Sequence, residues 1–359
     1  MRKVLRIVGF FVAVALVVTY ICYASHLAKR HRAEQQVTGV VVSITDSTDM
    51  QQFATSEQIH KQLRNSGLKI ENNSVSSVDA LKISEYIARN GFVREAYAYV
   101  TYSGEVRINI KQHKPVARLL CGGLNSYITS DGAVFKSPQG ASYYTAVVTG
   151  GYRSQFVPKG DGDIESSYVK LMAREDERLA KLGDEFRALR SKSASCSQRK
   201  AELRKDRKRK ILESKASHEQ RKVAIDMDIA KCNEQLQGFT VEREQLERRQ
   251  RAIEMRKKKL QKKYDDFRNL LKFVEEIEDD SFWRAEVVQF VADTTSTGEI
   301  SLRLIPRSGD FVITLGTLSA RAEKMKKLQK FYDNGLSHLG WDRFRSIDLR
   351  YSKQVICTE

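Results

Sequence analysis

FTVEREQLERRQRAIEMRKKKLQKKYDDFRNLLKFV, Phe239–Val274, carries an apolar residue at every seventh position: Phe239, Leu246, Ile253, Leu260, Phe267 and Val274. A heptad repeat keeps those residues on one stripe of an α-helix, and such a stripe needs a second helix to cover it. Ile225, Ile229, Cys232 and Leu236 join the same phase upstream, and Gly238 leaves the register unbroken, so it reads as a weak point within the helix and not as a turn. The seam is poor in places, because Arg243, Gln250 and Lys257 stand where its second apolar stripe belongs. The covering stripe lies earlier: Leu179, Leu182, Phe186, Leu189, Cys196 and Leu203, unshifted by the Ser-rich 191–197. The two phases meet near Ile211–Gln220. They predict one helix out and one helix back, with arms of roughly 70–85 Å.

On both sides of this helical hairpin, assigned to 165–278, the pattern is β. Upstream, Val116–Leu120, Ser126–Thr129, Ala133–Lys136 and Thr145–Thr149 read as short strands, with a turn at Ser130-Asp131-Gly132. Downstream, Phe282–Ala292, Glu299–Pro306 and Phe311–Thr314 read as strands, Ser319–Gly335 as a helix and Arg345–Cys357 (RSIDLRYSKQVIC) as an alternating strand. One β-rich domain, 116–164 and 279–359, is thus interrupted by a coiled-coil hairpin. Before it, 37–115 runs strand, helix, helix, hairpin. These are Val37–Thr45, a helix opened by Thr55-Ser56-Glu57-Gln58, Val78–Arg89, and the pair Phe92–Tyr102 and Glu105–Gln112 turning at Ser103-Gly104. The fold class is α+β.

Residues Ile7–Ala24 (IVGFFVAVALVVTYICYA) form an uncharged run of 18 residues flanked by Arg2, Lys3 and Arg6 and by Lys29, Arg30 and Arg32. As a helix it spans roughly 27 Å, close to a bilayer's hydrocarbon thickness. A transmembrane anchor behind a cytoplasmic tail, 1–6, is expected. The competing reading is a signal peptide cleaved after Cys22-Tyr23-Ala24. The length of the run and the lack of a helix breaker favour the anchor.

The chain carries +17 formal charge. Lys170–Lys263 holds 29 Lys/Arg against 16 Asp/Glu, a net +13. A solvated helix face accounts for such charge. The sharper reading is attraction to an anionic surface, lipid headgroups or cell-wall polymer. Nucleic acid is not expected on the far side of the membrane. There is no glycine-rich phosphate loop, HExxH or CxxC, and the six histidines are scattered. His113 reads as an exposed strand-end residue and Asp131 as a turn residue. No enzyme activity, cofactor or metal is expected.

Cys196 and Cys232 lie on the two seams, equidistant from residue 214. In an antiparallel hairpin they face each other, either as a disulfide in an oxidising compartment or as two packed free thiols. In the last strand Ile347, Leu349, Tyr351 and Val355 form or border one face, and a proline at Ser352 would interrupt it. That face is either a partner-binding edge or an interior strand with Tyr351 in the core.

A set of local motifs, in order, resembles the FtsQ/DivIB cell-division proteins, most closely the Bacteroidetes-type members. It comprises Asn90-Gly91-Phe92-Val93-Arg94-Glu95-Ala96, Gln112-His113-Lys114-Pro115-Val116-Ala117-Arg118 and Tyr127-Ile128-Thr129-Ser130-Asp131-Gly132. It continues with Asp280-Ser281-Phe282-Trp283, Gly335-Leu336 through Gly340-Trp341, Ile347-Asp348-Leu349-Arg350-Tyr351 and Gln354-Val355-Ile356-Cys357. The resemblance covers Met1–Gly150 and Asp279–Glu359 and leaves the helical insertion outside the family pattern. It implies that 37–115 is a POTRA-type domain. It also implies a non-enzymatic inner-membrane scaffold at the division septum, bulk periplasmic, with a β-domain binding FtsB/DivIC-like and FtsL-like partners and Tyr351 in the partner-binding position. A periplasmic adaptor of an efflux or secretion system is the rival. It requires two lipoyl-like halves flanking the hairpin and no POTRA pattern.

Overall fold

The computed structural model describes residues 14–28, 30, 35–45, 55–68, 70, 73–136, 144–211, 213–336, 340–341, 343–352 and 354–359. Residues 14–28 are helical (α1). No helix among the described residues is long and apolar enough to cross a membrane. The tail at 1–6 and the first half of the expected anchor, 7–13, lie outside them.

The first domain comprises β1 (Gly39–Ile44), α2 (Ser56–Asn65), a 3₁₀ turn at Val75–Ser77, α3 (Ala80–Ala88), β2 (Val93–Val100) and β3 (Glu105–Gln112). Its sheet runs β1-β3-β2, with β1 parallel and β2 antiparallel to β3. The start of α2 is a reciprocal capping box. The Gln58 amide donates to Thr55 Oγ1 at 3.2 Å, and the Thr55 amide to Gln58 Oε1 at 3.2 Å. Two amide donors without intrahelical partners are thereby satisfied. Ile59, Leu63, Ile83 and Ile87 from the helices pack on Val106, Ile108 and Ile110, the inward set of β3.

The second domain is organised on a ten-stranded sheet. Its strands are β4 (Pro115–Leu119), β5 (Ser126–Thr129), β6 (Ala133–Lys136), β7 (Ala146–Thr149), β8 (Gly162–Asp163), β9 (Val287–Thr294), β10 (Ile300–Pro306), β11 (Val312–Thr317), β12 (Ser346–Asp348) and β13 (Ile356–Thr358). In space they run β13-β12-β11-β10-β9-β7-β4-β5-β6-β8. The two sequence halves join where β7 pairs in parallel with β9, Val148 opposite Phe290. The approach just beyond this pair is so close that a Cβ on Gly150 (φ 105°) would lie 2.3 Å from the Ala292 carbonyl oxygen.

Between β8 and β9 run α4 (Ile164–Asp206), α5 (Lys215–Asp279) and the short α6 (Ser281–Glu286). The α4/α5 pair is an antiparallel hairpin turning between Asp206 and Lys215, at the near side of the stretch the two phases indicate. Gly238 lies within unbroken α5. Leu182, Leu189, Leu246 and Ile253 form the hairpin's own apolar cluster.

Three sequence expectations need correction. Residues 165–278 are not wholly an insertion. The last turns of α5 place Phe267, Leu270, Leu271, Phe273, Val274 and Ile277 in the β-domain core, each 0–3% exposed. That apolar face is wider than a heptad stripe because it covers a sheet and not a single helix. Phe282 does not begin a strand. The Asp280 carboxylate accepts from the Phe282 and Trp283 amides and nucleates α6, so the strand starts at Val287. Finally, Arg345–Cys357 is two short strands joined by a loop, as described next.

Candidate partner-binding edge

The sheet ends at the C-terminus of the chain. β12 lies parallel to β11, with Ile347 opposite Ile313, and antiparallel to β13, with Ile347 opposite Cys357. β12 is therefore interior, and β13 is the last strand of the sheet. Ile347 and Leu349, expected on a partner-facing side, are fully buried in the core. Val355 packs partly buried against that core. Tyr351 and Ser352 sit exposed on the loop between β12 and β13, Tyr351 at 47%. With Ile356 at the start of β13, Tyr351 gives this edge two large exposed apolar side chains.

The loop is held from outside its own sequence. Lys327 on α7 (Arg321–Phe331) points its ammonium at three carbonyls, donating to Leu349 O at 3.2 Å, Gln354 O at 3.3 Å and Tyr351 O. One cation thus ties both ends and the middle of the loop, where Leu349 reaches back to the sheet, its amide donating to the Thr314 carbonyl on β11 at 2.9 Å. On the other face, the Arg350 guanidinium forks onto Asp348, Nε to Oδ1 at 3.0 Å and Nη2 to Oδ2 at 2.5 Å. Hydrogen bonding from Arg350 holds the Asp348 carboxyl below the usual carboxylate range. The stem of Arg350 crosses β11 where Gly316 lies in the left-handed region (φ 73°), and a Cβ there would meet Arg350 Cγ at 2.7 Å. Reasoning from sequence missed Lys327 and Ile356. The carbonyls that Lys327 serves lie 22–27 residues downstream and leave no local signal. The spacing of Asp348 and Arg350, two residues apart in an extended segment, was readable as a same-face pair.

Cys196 and Cys232 are brought together. Both are buried in the hairpin seam as thiols, with Cys196 Sγ 3.6 Å from the Cys232 carbonyl oxygen. Burial, then the neighbouring Cys232, pushes the Cys196 thiol up. His113 is half-buried, where exposure was expected. It stacks on Phe135 with ring centroids 5.8 Å apart. It opens on a cleft of about 660 Å³ that also holds Arg94, Asp131, Glu275, Glu278 and Arg284. Burial holds its pKa below the ordinary value, against the pull of Asp131. Asp131, which burial alone would raise, is held down by the Thr129 hydroxyl, His113 and Arg94. Burial pushes the Glu278 carboxyl up. Among the described residues no cluster of three potential metal ligands occurs.

Residues 35–111 match the family model of a POTRA-like domain, and residues 248–358 match the model described as FtsQ/DivIB, C-terminal related. The chain is an FtsQ/DivIB-family protein. No curated protein matches it. The C-terminal match begins inside α5, so the family domain includes the part of that helix packed on the sheet. This extends the likeness upstream of Asp279, where the sequence motifs alone had ended it. FtsQ/DivIB proteins are a non-enzymatic division family with protein partners in the divisome. The strands before the hairpin, β4–β8, and those after it, β9–β13, belong to one sheet joined at β7 and β9, and are not two lipoyl-like halves.

Proposed function

We propose that this FtsQ/DivIB-family chain is a bitopic scaffold of the bacterial divisome. It is held in the inner membrane by 7–24, with its tail cytoplasmic and its POTRA-like and β-domains periplasmic at the septum. It links FtsB/DivIC-like and FtsL-like proteins through the β12–β13 edge, without catalysis. The observation that supports this reading is the open end of the ten-stranded sheet. Among the described residues β13 pairs on one side only, Ile356 is exposed on it, and Tyr351 borders it on a loop that Lys327 holds. A partner strand adding to such an edge gains main-chain hydrogen bonds, and the two side chains supply apolar contact. A pre-ordered loop lowers the entropic cost of docking.

The test is co-purification of the small membrane partners with Tyr351→Ala and with Ile356→Asp. A buried interfacial tyrosine contributes about 2 kcal/mol or more, so Tyr351→Ala should weaken affinity about thirtyfold. Undiminished recovery with both variants, in folded protein, refutes the assignment. Ser352→Pro is a poor probe, because Ser352 lies on the loop and holds no ladder bond.

A further inference from the structure

The turn of the hairpin is strongly basic. Arg199–Lys215 holds nine Lys/Arg and three Asp/Glu. Its acidic groups are engaged within the turn or lie along the arms. Glu213 accepts from Arg221 Nε at 2.8 Å, Arg221 Nη2 at 2.6 Å and the Lys210 amide at 3.1 Å. These bonds, led by the one from Arg221, lower its pKa to about 2. The same Arg221 guanidinium donates to the carbonyls of Asp206 and Lys208, and Arg209 donates twice to the Glu213 carbonyl, at 3.2 and 3.0 Å. Arg207 pairs with Asp226 at 2.9 Å. These bonds tie the described residues of the turn to one another and to both arms.

What the turn presents outward is mainly basic, Glu202 and Asp206 being the exposed acids of the same stretch. Arg204, Lys205, Lys208, Lys210 and Lys215 are exposed and form no ion pair with a described residue. In their midst Ile211 is 101% exposed, the most exposed large apolar side chain described. A solvated basic face explains the lysines but not an isoleucine held at the apex. A soluble polyanion would likewise use the charge and gain nothing from the isoleucine. A lipid headgroup layer uses both, because basic residues are attracted to anionic lipid while an apolar side chain enters the acyl boundary. We infer that the hairpin tip is a membrane-contact site, docking on an anionic phospholipid surface with Lys208, Lys210 and Lys215 on the headgroups and Ile211 inserted. This goes beyond the partner edge and does not depend on it, since the tip lies at the far end of helices of 43 and 65 residues.

The test uses the full chain reconstituted in phosphatidylcholine vesicles, mixed with a second, dye-loaded population of phosphatidylglycerol–phosphatidylcholine or pure phosphatidylcholine vesicles. Capture of the anionic vesicles alone is expected. Ile211→Ser should reduce capture about tenfold, within the range for losing one apolar anchor. Lys208→Glu with Lys210→Glu should reduce it by more than about tenfold. In Ile211→Trp, emission beyond that of wild type should shift to shorter wavelength and be quenched by brominated lipid in the captured vesicles. The inference is overturned by equal capture of neutral vesicles, by no capture, or by Ile211→Ser capturing like wild type with no quenching of the introduced tryptophan. In that last case the tip would be a site for a soluble anionic polymer, checked by competition with polyglutamate. Far-ultraviolet circular dichroism confirms that each variant keeps its helices.

Discussion

Removing the helical segment at two different boundaries should give opposite results. Deletion of 165–278 takes away the last turns of α5, and with them Phe267, Leu270, Leu271, Phe273, Val274 and Ile277. Burying a large apolar side chain contributes about 1.5–3 kcal/mol, so six of them represent about 9–18 kcal/mol. Even discounted by a third for residual burial in the unfolded chain, this rivals the roughly 5–15 kcal/mol by which a whole domain is stable. The β-domain should not fold. Replacing only 176–256 by a short turn of about four residues removes the separate cluster of Leu182, Leu189, Leu246 and Ile253. It keeps the Tyr168–Tyr264 stack at 4.3 Å and its edge contact with Phe156 at the base of the hairpin. That deletion should leave the melting temperature of the β-domain within a few degrees of wild type.

Trp283, 6% exposed and packed against Tyr332 at 5.4 Å, reports on the core through its fluorescence. Thermal unfolding followed at Trp283 should be cooperative for the shorter deletion and absent for the longer one. A cooperative transition with shielded Trp283 emission in the longer deletion would refute the assignment of α5 to the core. Loss of the transition in both would show that the distal hairpin is not separable.

Mild oxidation should link Cys196 to Cys232. The chain-entropy relation for a loop of this length gives about 4 kcal/mol for the hairpin, read as faster migration on a non-reducing gel that Cys196→Ser abolishes. Gly150→Ala should cost about 3 kcal/mol or more, because no relaxation short of parting β7 from β9 clears the Ala292 carbonyl, and denaturant titration measures it. Lys327→Met leaves three carbonyls without their cation and should cost about 1–3 kcal/mol, with faster amide exchange over 349–358 as the local signature. His113 is held below its ordinary pKa in the fold, so the unfolded chain takes up the proton first as pH falls. The associated stability is present above about pH 6.5 and lost below it. His113→Phe should remove that acid-side slope from the melting temperature.

Local signals were legible wherever the partner residue lay within one turn. The Thr55–Gln58 capping box and the alternation of Val106, Ile108 and Ile110 fall in this group. The hairpin was legible because its period needs no knowledge of what surrounds it. Phe267 and Val274 were misassigned for the same reason. A heptad position is apolar whether it meets a helix or a sheet, and only the added Leu270, Leu271, Phe273 and Ile277 distinguish the two. α6 was hidden because Phe282 and Trp283 lead without a break into the apolar run of β9, while the bond that decides the matter is the Asp280 side chain on their amides. The C-terminal strand was overextended because Leu349 and Tyr351 continue the alternation of Ile347 into the loop. Beyond Leu349 the carbonyls of Tyr351 and Gln354 turn to the Lys327 ammonium and not to a neighbouring strand.

An insertion this long leaves the sheet intact because its two arms meet again before they reach it. Tyr168 and Tyr264 stack at the base, so the sheet sees a closed stem, and β7 pairs with β9 as if the chain had simply passed between them. The arms differ below that point. α4 starts beside the edge strand β8, capped by Asp163, whereas α5 continues into the core and packs on β4 and β10. A load applied at the tip therefore enters the face of the sheet through one continuous helix of 65 residues. β13 is separated from β10 by β12 and β11, so the partner edge and the tip share no contact. Sites without shared partners act nearly additively. Ile211→Ser and Lys208→Glu should leave recovery of the division partners unchanged, and Tyr351→Ala should leave vesicle capture unchanged. Cross-effects in either direction would mean that α5 transmits the contact through the sheet.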